Sequence, residues 1–232
     1  MNGIYSVAID GPSGAGKSSL AKAAARKFGF IYVDTGAIYR TVGLAAHRRG
    51  LDTHDANAVA AILPGLKITM SYGEDGTQRM NLNGEDVSAE IRRPEISKCA
   101  SDVAAHTAVR AFSLELQRDM ARHNSVIMDG RDIGTVVLPN ADLKIFLTAS
   151  AEARAHRRLL ELEQKGIASS FDEVLESIKY RDEQDTNRAA APLKQAEDAV
   201  LLDTSDIDFD QSLKKLSDII SDKLSLGKGA QS

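Results

Sequence analysis

Apolar residues in this chain come in short runs, separated by stretches in which they recur every three or four positions. The run Ile4, Val7, Ala8 and Ile9 predicts a first strand, and residues 18–28 a helix after it. Ile31-Tyr32-Val33 predicts a second strand ending at Asp34, with Thr35 as N-cap of a helix that runs to about residue 49. Another helix covers roughly residues 55–63 and stops at Pro64-Gly65. Residues 67–87 follow a different rule. Ile68, Met70 and Tyr72, then Met80 and Leu82, alternate with polar positions, and Asp75-Gly76 and Asn83-Gly84 mark two turns. This predicts a three-stranded antiparallel meander, its last strand starting at Asp86-Val87.

The helical period returns over residues 109–122, 152–164, 171–185 and 209–226, with short strands at 125–128, 143–147 and 200–202 and a frayed tail from Gly227. Strands alternating with helices predict an α/β fold built on a doubly wound parallel sheet with helices on both faces. An antiparallel meander has no place in a sheet built by crossovers. It is therefore expected as an inserted lobe over residues 63–105, within a core of residues 1–62, 106–150 and 190–232.

At 232 residues and 43% apolar content the chain can bury one good core. Its net charge of −4 disfavours a general nucleic-acid-binding role. Arg nevertheless outnumbers Lys, 16 to 13, which suggests phosphate recognition by placed guanidiniums. The single Cys99 allows no internal disulfide and fits a reducing cytoplasm. No signal peptide, membrane span or metal-ligand spacing of His is expected.

The chemistry starts at residues 11–18, Gly11-Pro12-Ser13-Gly14-Ala15-Gly16-Lys17-Ser18, with Ser19 following. This is the G-x-x-x-x-G-K-S phosphate loop between a strand and a helix. Its glycines let backbone N–H groups wrap an anion, and the helix N-terminus adds positive partial charge. Lys17 would reach the outer phosphates and Ser18 would hold magnesium. Asp129, at another strand end, reads as a partner of that ion or as a turn residue. In Asp129-Gly130-Arg131-Asp132-Ile133-Gly134-Thr135, Arg131 could clamp a phosphate and Asp132 accept from an amino group; the bland alternative is a surface pair. Arg154, Arg157 and Arg158 share one helix face, either around an anion or as a solvated face with Glu161 answering Arg157. The apolar stripe Phe171, Val174, Leu175, Ile178 continues to Arg181, Asp185 and Arg188, which favours an inward, polar cleft over a surface pair.

Taken together, the loop at 11–19, the run Asp34-Thr35-Gly36-Ala37-Ile38-Tyr39-Arg40, the run 129–135 and Asn187-Arg188 closely resemble bacterial cytidylate kinases, over essentially the whole chain. The resemblance implies ATP and magnesium as co-substrate and cofactor, and phosphoryl transfer to CMP and dCMP. It implies that the inserted lobe binds the monophosphate and that residues 151–189 form a helical lid. Ser101, Arg110 and Asp132 would surround the cytosine, with Thr35 retaining a family hydroxyl. Arg40, Arg131 and Arg188 would hold the acceptor phosphate, and Arg181 and Asp185 the sugar. Lys17, Arg131, Arg157 and Arg188 would be catalytic, although the match does not fix which lid arginine reaches the γ-phosphate. The expected partners are nucleotides alone, with no nucleic acid or membrane, and the chain is expected to act as a cytoplasmic monomer. The alternatives are a kinase for another acceptor such as UMP, or a GTP-dependent switch. The second lacks the Asn-Lys-x-Asp run such proteins use.

Overall fold

The computed structural model describes residues 3–73, 77–164 and 166–225. They form two compact units, residues 1–30 with 125–232, and residues 31–124. The expected turn at Asp75-Gly76 and the expected tail fraying lie outside the described residues.

The first unit is built on parallel strands. β1 (Ser6–Asp10) lies between β6 (Val126–Gly130) and β7 (Leu143–Thr148), and β8 (Val200–Asp203) follows β7. Val7, Ala8 and Ile9 are fully buried, as are Val126, Ile127 and Met128, which is why both strands read as unbroken apolar runs. β7 instead alternates, burying Leu143, Ile145 and Leu147. The register sets Asp10 opposite Gly130 on one side and Phe146 on the other. The chain thus leaves β1 and β6 side by side at their carboxyl ends, where doubly wound sheets place ligands. Helices flank the sheet. α1 (Lys17–Phe28) packs on β6 and on α8 (Phe209–Lys223), while α6 (Ala151–Gln164) pairs with α7 (Phe171–Asn187) through Ala155, Val174 and Ile178. Capping boxes start α7 at Ser170 with Glu173, and α8 at Asp208 with Gln211.

The second unit holds β2 (Ile31–Asp34), α2 (Thr35–His47), α3 (Ala56–Ile62), α4 (Pro94–Ala104) and α5 (Thr107–His123). It also contains the antiparallel sheet of β3 (Ile68–Tyr72), β4 (Gln78–Leu82) and β5 (Glu85–Asp86). The meander forms as its alternation predicts, and Asn83-Gly84 makes its tight turn with φ of 52° and 91°. Its last strand is only two residues long and begins at Glu85, one residue before the expected Asp86. Asp86 accepts from the Ser88 N–H at 2.9 Å and Oγ at 2.5 Å, and beyond it the Val87 N–H still reaches the Met80 carbonyl at 2.9 Å. The cap of α2 is Asp34 and not Thr35: Asp34 is extended and its carboxylate accepts from Ala37 N–H at 3.1 Å, while Thr35 is already the buried first helical residue.

α2 and α4 make this unit's tightest helix pair. Gly43 is the reason they approach closely: a Cβ there would lie 2.9 Å from Ala100 N and 3.0 Å from the Cys99 carbonyl carbon. Gly43→Ala is therefore expected to destabilise the protein by about 1–3 kcal/mol, the usual cost of overpacking. Gly65→Ala, where a Cβ meets nothing within 4 Å, should stay within about 0.5 kcal/mol of wild type. Urea unfolding of the two variants checks this; equal midpoints would show that α2 can move away from α4 at no cost.

Candidate active site

The phosphate loop leaves β1 through Gly11, whose φ is 149°. A Cβ there would lie 1.9 Å from the Leu147 carbonyl oxygen, so β7 and the loop can run this close only with glycine. Pro12 and Ala15 are buried beneath the loop, and α1 begins at Lys17 itself. Lys17 is 5% exposed and donates from Nζ to the Pro12 carbonyl at 2.6 Å. Burial, and after it the Arg131 charge, hold its ammonium well below the usual lysine range, while Asp129, Asp10 and Asp185 pull the other way. Ser18 and Ser19 are exposed on the first turn, and Ser18 Oγ donates to Asp129 Oδ2 at 2.7 Å. Strand register explains that meeting, since Asp129 faces Ile9 across the β1–β6 pair.

The loop after β6 passes into a π turn, residues Ile133–Val137. Arg131 Nε donates to Asp185 of α7 at 2.6 Å, and Arg188, just past the end of α7, reaches Asp132 at 3.4 Å. Asp132 is 5% exposed. The structure thus joins Arg131 to Asp185 and Asp132 to Arg188, pairs that spacing alone does not reveal. Arg181 lies exposed on α7, so the inward phase of the apolar stripe holds at Asp185 and not at Arg181.

The three arginines of α6 part company. Arg154 is buried, donates to the Ser13 carbonyl at 2.9 Å, and grips Asp182 of α7 through both terminal nitrogens at 2.9 and 2.5 Å. Arg157 turns to the end of β8, donating to the carbonyls of Thr204 and Ile207. Arg158 meets Glu161 on the surface at 2.9 Å. Glu161 therefore answers Arg158 and not Arg157, because the i,i+3 reach suits the residue whose side chain stays in water.

In the second unit Arg40 pairs with Asp34 at 2.5 Å, and its Nε is buried with no hydrogen-bond partner among the described residues. Gln78 of β4 clamps the Asp34 backbone, accepting from its N–H at 2.8 Å and donating to its carbonyl at 3.3 Å. Thr35 follows, buried. Arg110 lies over the Tyr39 ring at 5.9 Å, and Ser101 is exposed on α4 with its hydroxyl on the Ser97 carbonyl at 3.2 Å.

Sequence reading missed four of these residues. Asp10 carried a usable signal, since it ends an apolar strand as Asp129 does. Asp34 reads as a strand end and as the start of the run 34–40, with no local sign that it caps α2 and pairs with Arg40. Asp182 and Gln78 offered none, because their partners lie 28 and 44 residues away. Among the described residues no group of three or more His, Cys, Asp or Glu could hold a metal ion, and no helix is long and apolar enough to cross a membrane.

A phosphate loop at the carboxyl end of a parallel strand, with a buried lysine and arginines held by carboxylates, defines a P-loop phosphotransferase. The family model described as cytidylate kinase matches residues 7–222. Curated cytidylate kinases are similar throughout. That of Caldicellulosiruptor bescii is 47% identical over 213 residues, covering 92% of this chain and 94% of its own. That of Lactobacillus johnsonii is 45% identical and covers 96% of each chain, and that of Geobacter sulfurreducens is 46% identical and covers 97% and 96%. The chain belongs to the cytidylate kinase family. Among solved structures, shikimate kinase from Bacteroides thetaiotaomicron superposes with a TM-score of 0.50 at 14% identity, covering 97% of this chain and all of that one. An uncharacterised Eubacterium ventriosum protein gives 0.52 at 12%, covering 94% and 98%. These two share the fold.

The Arg154–Asp182 pair ties the phosphate loop to both helices of the α6–α7 pair. Asp182→Ala leaves a buried guanidinium without its counter-charge and should cost about 2 kcal/mol, as for hydrogen bonds to charged groups. Arg158→Ala, which removes only a surface pair, should cost under about 0.5 kcal/mol. Urea unfolding compares the two; equal small losses would show that Arg154 does not depend on Asp182.

Proposed function

We propose that this chain transfers the γ-phosphoryl group of ATP to CMP and dCMP, acting as a cytoplasmic monomer on free nucleotides and not on nucleic acid. The observation that supports it best is the pairing of two loops on neighbouring strands: the phosphate loop after β1 and the Arg131-Asp132 loop after β6. The first suits a triphosphate and the second a charged, base-bearing acceptor, in a chain whose relatives are cytidylate kinases.

The acceptor is a phosphate monoester whose second pKa is near about 6, so it is largely a dianion at neutral pH. It needs no general base. One of its oxygens forms a bond to the γ-phosphorus while the bond from that phosphorus to the β,γ-bridging oxygen breaks. The barrier lies in bringing two polyanions into line, and the chain's cations supply the positioning and charge. Lys17 serves the transferring group. Arg40, Arg131 and Arg188 serve the acceptor phosphate, and the partnerless Nε of Arg40 is one donor kept for it. Arg181 and Asp185 take the sugar; Ser101, Arg110 and Asp132 take the cytosine, beside Thr35. Residues 63–105 act as the monophosphate lobe and residues 151–189 as the lid, where Arg154 is built into the loop's support and Arg157 joins Lys17, Arg131 and Arg188 in the catalytic set.

The donor set fits magnesium, since Ser18 Oγ and the Asp129 carboxylate are hard oxygens already joined. Ser18 would hold the ion and Asp129 would orient Ser18. When bound, magnesium neutralises charge on the β- and γ-phosphates.

Two measurements test this reading. Lys17→Ala should lower kcat by at least about a hundredfold, the scale of losing one transition-state donor. Binding of CMP, followed by calorimetry, should change little; near wild-type turnover would remove the phosphate-loop mechanism. Asp132 bears on base choice. Its carboxylate accepts from the cytosine amino group and repels the uracil carbonyl, a discrimination of roughly 1–3 kcal/mol. Wild type should therefore favour CMP over UMP by at least about tenfold in kcat/KM. Asp132→Asn should narrow the gap, because an amide can turn its donor to uracil. A coupled ADP-release assay over a panel of monophosphates reads both; a preference for UMP would redirect the assignment to that acceptor.

A further inference from the structure

Asp10, the last residue of β1, is a buried acid that none of the roles above uses. Each of its oxygens takes a different backbone donor. Ile133 N–H reaches Oδ1 at 2.7 Å, and Gly134 N–H reaches Oδ2 at 2.7 Å. These two amides open the π turn, where helical geometry provides them no carbonyl partner. The approach is close. A Cβ on Gly134 would stand 3.4 Å from Asp10 Oδ2 and 3.1 Å from Lys144 Cδ. On the other side of the same span, Gly130 is fixed in the sheet directly opposite Asp10. Only Arg131 and Asp132 lie between Gly130 and the two amides.

We propose that Asp10 is a positioning residue for acceptor recognition: by pinning the peptide after Asp132 it sets the direction of the Asp132 carboxylate, and so the preference for cytosine. This rests on the reading of Asp132 given above. A carboxylate suits the task because it accepts at both oxygens, whereas an asparagine in its place would turn an NH2 group towards one of the two amides. Burial pushes the Asp10 carboxyl up to about 6, against the opposing pull of the Gly134 and Ile133 N–H bonds.

The test is kcat/KM for CMP and for UMP with wild type, Asp10→Asn, Asp132→Asn and the double variant, each confirmed as folded by circular dichroism. Asp10→Asn should lower the CMP:UMP ratio by at least about threefold, and by less than about 1.5-fold in the Asp132→Asn background, the non-additivity of coupled residues. Equal losses on both substrates, with the ratio kept, would make Asp10 a stabilising contact only and overturn the proposal. A wild-type ratio in Asp132→Asn would remove the base-reading role of Asp132, and the proposal with it. A lowered ratio in Asp132→Asn beside an unchanged one in Asp10→Asn would remove the positioning role alone. Should Asp10→Asn not fold, Asp10→Glu keeps the charge but shifts both acceptors by one methylene. It should lower the ratio in the same way, and an unaltered ratio there would count against Asp10 equally.

Discussion

A guanidinium carries its charge at every pH the protein meets, so each arginine placed to receive phosphate needs a partner before the nucleotide arrives. The structure meets that constraint with aspartates. Arg131 lies on Asp185, Arg154 on Asp182, Arg188 on Asp132, and, in the second unit, Arg40 on Asp34. Unanswered, the same cations would be costly to hold in partly buried positions. Lys17 is treated differently. It donates to a backbone carbonyl and burial disfavours its charged form, so the arrival of phosphate is what best satisfies its ammonium.

On the proposed reading, binding in such a site is an exchange of partners. An incoming phosphate competes with a carboxylate for guanidinium donors that are already nearby and partly buried. The enzyme is spared the cost of bringing a fully hydrated arginine out of water at the moment of reaction. The arrangement also separates the arginines. Arg154, gripped through two nitrogens and holding the Ser13 carbonyl, belongs to the support of the loop, whereas Arg131 meets Asp185 through Nε and Arg188 reaches Asp132 while donating from Nε to the Ala191 carbonyl.

Much of this was legible in the sequence because the signals were local. The phosphate loop is eight consecutive residues, β1 and β6 are unbroken apolar runs, and the meander shows alternation with an Asn-Gly turn. The α2 cap was misplaced by one residue, since Asp34 and Thr35 are both good caps and only the backbone decides between them. The partners of the arginines were not legible. Arg154 and Asp182 are 28 residues apart, and Arg131 and Asp185 are 54 apart. Their meeting depends on how α6 and α7 pack, which no periodicity encodes. Asp10 shows the same limit: its position at a strand end is visible, but its two amide partners lie 123 and 124 residues on.

All four counter-ions are aspartate, although the chain has glutamates to spare. Aspartate has two side-chain torsions and glutamate three, so an aspartate loses less rotamer freedom when it is fixed. Arginine has four, and most of the motional freedom in each pair belongs to it. One member of every pair is thus a short, stiff post and the other a long, pliant arm. On the proposed reading, when a phosphate takes the guanidinium of Arg40, Arg131 or Arg188, the arm swings and the post stays, ready to receive the arm again once product leaves. The resting arrangement is in this sense self-resetting, with its return geometry held by the half of each pair that scarcely moves.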